Sequence, residues 1–131
     1  MIIWLEMTIF AVMKLNVEEL RDFCLSLGDD VEEKMPFSKF HSASEVLVFY
    51  VCGHMFCYYD LAHFSVVTVK CQPERIEQLR AGGEVGVVDP YNMSPRHWVG
   101  LDAQVVSTSF AYELVQNSYN IVKAKYSKKK R

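Results

Sequence analysis

The sequence predicts a single α+β domain, an antiparallel β-sheet meander flanked by N-terminal, middle and C-terminal helices. Three observations predict it. Three β-rich runs follow one another between residues 45 and 71 with only short turns between them, and strands joined in that way pair antiparallel. Apolar residues recur at helical spacing before and after these runs. The 131 residues are one domain's worth of chain, enough to bury about two-thirds of the unfolded surface without disulfides or metal.

Each element has a local cause. Asn16 is placed to cap a helix, with Glu19 three residues on as in a capping box. Val17, Leu20, Cys24 and Leu27 then share one stripe, and Gly28 ends the helix. Val31 to Phe37 reads as a short extended piece at a sheet edge, because Pro36 cannot donate to a ladder. Ser38 to Ser44 is polar loop. Glu45 to Val51 and Met55 to Leu61 read as a hairpin with Gly53-His54 as its two-residue turn. That register sets Val51 opposite Phe56, Tyr50 opposite Cys57 and Phe49 opposite Tyr58. Large apolar residues stand at both parities, so both sheet faces are expected to be at least partly covered. Phe64 to Cys71 is the third strand. Pro73 opens the middle helix at the position where a missing N–H costs nothing, Ile76 and Leu79 form its inner edge, and Gly82-Gly83 ends it. Val85 to Asp89 and His97 to Leu101 read as short strands around a loop holding Pro90 and Pro95. The last helix is expected from about Ser107 to Tyr126, with Phe110, Leu114 and Ile121 on one face and Ala111, Val115, Ser118 and Val122 beside them.

Half the residues are hydrophobic and 23% are charged, which excludes disordered and low-complexity classes. Charge is divided unevenly. Residues 1–122 hold eight basic and sixteen acidic side chains, whereas Lys123, Lys125, Lys128, Lys129, Lys130 and Arg131 crowd the last nine positions with no acid among them. An acidic body with a basic tail is a poor frame for strong nucleic-acid binding. Four cysteines, each in an apolar run, read as reduced thiols of a cytoplasmic protein. Met1 to Met13 is apolar, but Glu6 interrupts it, no basic residue precedes Lys14 and no cleavage site follows, so neither a signal peptide nor a membrane span is expected. It reads either as an extra edge strand or, the preferred reading, as an extension ahead of a start at Met13. The organisation is then an extension over 1–12, a domain over 13–126 and a basic tail over 127–131.

Little in the chain points to catalysis. Cys52, His54 and Cys57 have the residue types of a zinc site, and the hairpin register sets the two cysteines diagonally on one face, but a fourth ligand is missing nearby. Two strand cysteines flanking a turn is the simpler reading. Arg96, His97 and Trp98 suit a binding surface in which Arg96 pairs with phosphate, or a packed corner. No nucleophile or orienting partner accompanies His97. The phosphate, dinucleotide, calcium, zinc-protease and nucleophile-elbow motifs are absent. A protein without enzymatic activity, cofactor or metal is expected.

The order of motifs carries a resemblance. The run from Asn16 to Leu27 resembles the opening helix of the MmcQ/YjbR family, and Val46 to Phe56 resembles its central hairpin. Val69-Lys-Cys-Gln-Pro-Glu-Arg75 resembles its strand-to-helix junction. Asp89-Pro-Tyr-Asn-Met93 with Arg96-His-Trp98 resembles its tyrosine, methionine and histidine–tryptophan segment, and Ser118 to Lys125 resembles its closing helix. The match is colinear over about residues 13–128. Where the family's hairpin turn usually carries a glycine and a lysine, this chain has Cys52 and His54.

The resemblance implies a fold similar to the frataxin/CyaY arrangement, with a double-wing DNA-binding surface. Carried onto this chain, its positions are Lys70, Arg75, Arg96, His97 and Trp98, to which the residues themselves add Lys123, Lys125 and Lys128 to Arg131. Weak, salt-sensitive contact with DNA by a monomer is the first expectation. A protein- or small-ligand-binding module working near Tyr91, Met93 and Trp98 is the second, and an apolar groove there is the feature that distinguishes it.

Overall fold

The computed structural model describes residues 15–127, so the expectations for residues 1–12 and for Lys128 to Arg131 lie outside the described residues. The elements run α1 (Val17–Ser26), β1 (Glu32–Lys34), a 3-10 turn (His41–Ala43), β2 (Val46–Val51), β3 (His54–Asp60), β4 (Val66–Lys70), α2 (Pro73–Ala81), β5 (Val87–Val88), β6 (Trp98–Asp102) and α3 (Thr108–Ser127). The expected α+β fold is what forms: three helices and one six-stranded antiparallel sheet in the order β1-β2-β3-β4-β6-β5.

Local chemistry sets the helix ends where the sequence puts them. The Asn16 side chain accepts the Glu19 N–H at 2.9 Å, and Leu20 and Cys24 carry the buried stripe of α1. Pro73 starts α2, whose one buried side chain is Ile76. The Ser107 hydroxyl accepts from the Phe110 N–H at the start of α3. The inner stripe of α3 is rotated from the expected one: Ala111, Leu114, Val115, Ser118, Tyr119 and Val122 are buried, while Phe110 and Ile121 are its flanks.

The hairpin differs from expectation in turn and register. The turn is Cys52-Gly53, with both residues at positive φ (54° and 77°), the requirement of the two-residue turn whose twist matches paired strands. Val51 therefore pairs with His54 and Tyr50 with Met55. Further along, Phe49 pairs with Cys57 and Val48 with Tyr58, so Phe56 is an extra residue, a β-bulge. A bulge lets two consecutive side chains stand opposite one residue. Phe56 and Cys57 are accordingly both fully buried against the helices, which strict alternation forbids.

The bulge leaves backbone groups to be paired. The Ser118 hydroxyl, buried on α3, donates to the Phe56 carbonyl and accepts the Lys70 N–H. One side chain thus joins the bulge of β3 to the end of β4. Below it, Phe49, Phe56 and Tyr59 form an aromatic cluster, the Phe56 and Tyr59 ring centroids lying 6.4 Å and 5.9 Å from that of Phe49, and Leu20, Leu101, Leu114 and Val115 complete the core.

The other sheet face bears no helix. Its central row runs Lys34, Val48, Tyr58, Thr68, Gly100 and Val88 across all six strands. Two loops partly cover it, residues 35–45 from one side and 89–96 from the other, and Val48, Thr68 and Trp98 are buried there. Both faces are covered, one by helices and one by loops.

Candidate functional site

A cleft of about 230 Å³ opens on the helix-free face. Its floor is Val46, Val48, Met55 and Tyr58, and its walls are Phe37 and Ala43 on one side and Tyr91, Asn92 and Met93 on the other. The lining is almost wholly apolar. A more polar trough of about 340 Å³ continues from it, shares Ala43, Val46, Tyr58, Tyr91 and Asn92, and ends among Ser42, Asp60, His63 and Ser65.

Two details hold the wall in place. The Tyr58 hydroxyl donates to the Tyr91 carbonyl, which ties the 89–96 loop to the sheet, and burial pushes the Tyr58 phenol up. Gly100 leaves room for that loop: a Cβ there would lie 2.5 Å from the Asp89 carbonyl oxygen. Asn92 takes a left-handed conformation at φ 58°, which asparagine tolerates better than most residues. Trp98 packs against Tyr58 with ring centroids 6.4 Å apart, supporting the cleft from beside it.

The basic residues among those described do not gather on one face. Arg75 is held by Glu113 at 2.7 Å, on the helix side. Lys123 pairs with Asp30 at 3.0 Å and donates to the Tyr119 hydroxyl. Lys125 lies 5.3 Å from the Tyr126 ring. Lys70 sits beside Trp98 in the β4–β6 ladder, its ammonium 5.8 Å from the ring centroid. Arg96 lines a shallow depression with Glu74, Glu77 and Arg80 of α2. The His97 side chain is exposed while its backbone carbonyl accepts the Cys71 N–H. Lys70 and Trp98 are therefore neighbours and Arg96 stands two residues before Trp98 in the chain, whereas Arg75 and Lys123 are committed to carboxylates elsewhere.

The Asp30–Tyr119–Lys123 group has a consequence in acid. The hydrogen bond from Tyr119, at 2.8 Å, and then Lys123 hold the Asp30 carboxyl below its ordinary value of 3.8. A depressed carboxylate stabilises the fold above the ordinary aspartate range, and that contribution disappears as pH falls through the lowered value. Because the pair is partly exposed, the effect is expected to stay within about 1 kcal/mol. Asp30→Asn should be less stable than wild type near neutral pH, and the gap should narrow as pH falls below the ordinary value of 3.8 and close once it has passed the lowered one. Urea unfolding at stepped pH checks it; a gap that persists in acid would show that the carboxylate charge is not what matters.

The cysteine–histidine constellation comes apart. Cys52 is in the turn, Cys57 is fully buried, and the His54 ring stacks on Tyr126 with centroids 3.4 Å apart. Burial, and then the adjoining Cys24, pushes the Cys57 thiol well up, the opposite of what a thiolate ligand needs. The expected diagonal pairing fails because the turn lies one residue earlier. Among the described residues no group of three His, Cys, Asp or Glu side chains is placed to hold a metal ion.

Tyr91 and Met93 are in the cleft wall as the sequence suggested; Phe37, Ala43, Val46, Val48, Met55 and Tyr58 were not singled out. Their signal was the apolar residues at both strand parities, which marks a second covered face but not its hollow. The order of these elements matches known proteins. A family model described as YjbR matches residues 25–121. The chain belongs to the YjbR family. A Deinococcus radiodurans protein with the family-model domain DUF419 has a crystal structure similar to this YjbR chain, with a TM-score of 0.68 and 28% identity over 85% of this chain and 80% of that one. A Pseudomonas syringae protein is similar in fold, with a TM-score of 0.67 and 18% identity over 82% of the YjbR chain and 99% of its own. No protein of curated function matches the chain. No helix among the described residues is long and apolar enough to cross a membrane.

Proposed function

We propose that this YjbR-family chain is a non-enzymatic binding module whose working surface is the cleft on the helix-free face, where it receives an apolar group. The observation that carries this reading is the apolar hollow between the 35–45 and 89–96 loops, with Phe37 and Tyr91 standing exposed at its rim. An apolar concavity kept open by a tyrosine latch fits a binding role. In ligand-observed NMR, small aromatic fragments should bind the wild type at millimolar concentration and lose binding in Ala43→Trp, which fills the hollow. Fragments that ignore the protein, or bind both forms alike, would remove the cleft from consideration.

A second reading, contact with DNA, is favoured by one observation: Lys70 lies over Trp98 and has no carboxylate partner among the described residues. With Arg96 and the tail lysines it would supply a few phosphate contacts, opposed by the acidic body. Such binding is expected to be weak and to fall steeply with salt. Gel shifts at low salt should then show a duplex complex that Lys70→Glu and removal of residues 128–131 both weaken; absence of any shift would end this reading.

A further inference from the structure

The cleft and its polar extension are one continuous groove with a chemical gradient, and we infer that its occupant is an extended peptide segment of a partner protein carrying an apolar side chain two residues away from a lysine or arginine. The inference rests on the cleft reading above and specifies what enters it.

Size argues first. The apolar compartment, about 230 Å³, is smaller than the usual pocket of a cofactor or drug-sized ligand, roughly 300–1,000 Å³. It suits a single side chain. The groove is open along its length, which suits a chain lying across it.

Charge argues second. No lysine or arginine lines either compartment, and the polar end carries Asp60. Its Oδ1 accepts the Ala62 and His63 N–H groups at 2.8 Å and 3.3 Å, which fixes the carboxylate and leaves Oδ2 with no ion pair among the described residues. The strand pairing that sets Val46 beside Asp60 also sets Val66 beside Asp102, adding a second acid at this end. Lys34 belongs to the other end, where its ammonium lies 5.4 Å from the Tyr50 ring. From residue 15 to 127 the body holds fifteen acidic and nine basic side chains, so a basic segment is drawn to it and an acidic one repelled.

Spacing argues third. Tyr58 in the apolar floor and Asp60 at the polar end are two residues apart on β3, about 7 Å. An extended peptide places alternate side chains on one face at the same interval. In a peptide lying along β3, an anchor in the hollow therefore brings the side chain two residues away over Asp60.

The test uses the full chain and three synthetic peptides: Gly-Ser-Phe-Ser-Arg-Ser-Gly, the same with Arg replaced by Glu, and the same with Phe replaced by Ser. In chemical-shift titrations the first should move the amides of Val46, Tyr58, Asp60 and Asn92. The Glu peptide, and the first peptide with Asp60→Asn, should each bind up to about fivefold more weakly, the upper size of one exposed charge pair, and the peptide without Phe, having lost its apolar anchor, should bind more weakly still. Asn at 60 keeps the oxygen that caps the turn, so the loop stays folded. Equal binding of the Arg and Glu peptides, or no effect of Asp60→Asn, would overturn the inference while aromatic fragments still occupying the cleft would leave the cleft reading standing. Failure of peptides and fragments together would overturn both.

Discussion

Phe49→Ala is expected to destabilise the fold by about 3–5 kcal/mol, the range for removing a fully buried aromatic ring. Phe49 is wholly enclosed, and its ring meets both Phe56 and Tyr59. It also faces the bulge, where two partner residues crowd against one position, so the surroundings can collapse into the vacancy only by undoing that geometry. Phe49→Leu keeps most of the volume and should cost about 1–2 kcal/mol. Urea unfolding measures both, and comparable slopes for the three proteins would show that the native state alone has changed. A loss under about 1 kcal/mol for the alanine variant would mean that the aromatic cluster is not the centre of the core.

Ser118→Ala should be the most costly removal of a single polar atom. The hydroxyl serves the Phe56 carbonyl and the Lys70 N–H together, in a place with no exposed surface. Without it both backbone groups are stranded, and a stranded buried group costs about 1–3 kcal/mol. A total of about 2–4 kcal/mol is expected. Hydrogen exchange gives a local readout: the Lys70 amide should lose protection by more than the global change explains, while amides in the middle of β2 should follow global stability. If Lys70 stays as protected as in wild type, another group must be taking its hydrogen. The two variants also bear on function differently, since Ser118 closes the ladder that holds Tyr58 and Thr68 in line beneath the cleft.

Much of this architecture could be read from local pattern. The Asn16 cap, Pro73 at the head of α2 and the apolar spacing of α3 act within a few residues of themselves, so their signals are visible in order along the chain. The hairpin was legible as a hairpin, but its register was not. A one-residue choice of turn depends on which two residues accept positive φ, and Cys52 carries no obvious mark of doing so. The bulge at Phe56 followed from the same blindness, because alternation counts residues and a bulge inserts one. For the site, Tyr91 and Met93 were legible as an aromatic and a thioether in a proline-bounded loop. Their partners Phe37, Ala43, Val48 and Met55 come from three other parts of the chain.

The basic residues make the same point. Lys70, Arg75, Arg96 and Lys123 look alike as letters, and only packing separates Lys70, resting on Trp98, from Arg75 and Lys123, each held by a carboxylate far away in the chain. By itself the sequence determined the α+β class, the number of helices and strands and the acidic character of the body, because composition, periodicity and capping are local properties, and the order of its motifs carried the family resemblance. The tertiary structure decided the strand register, the pairing of the cations and the existence of an apolar hollow on the helix-free face. Those depend on which distant residues share a surface, a matter settled by backbone pairing and close packing across the whole sheet.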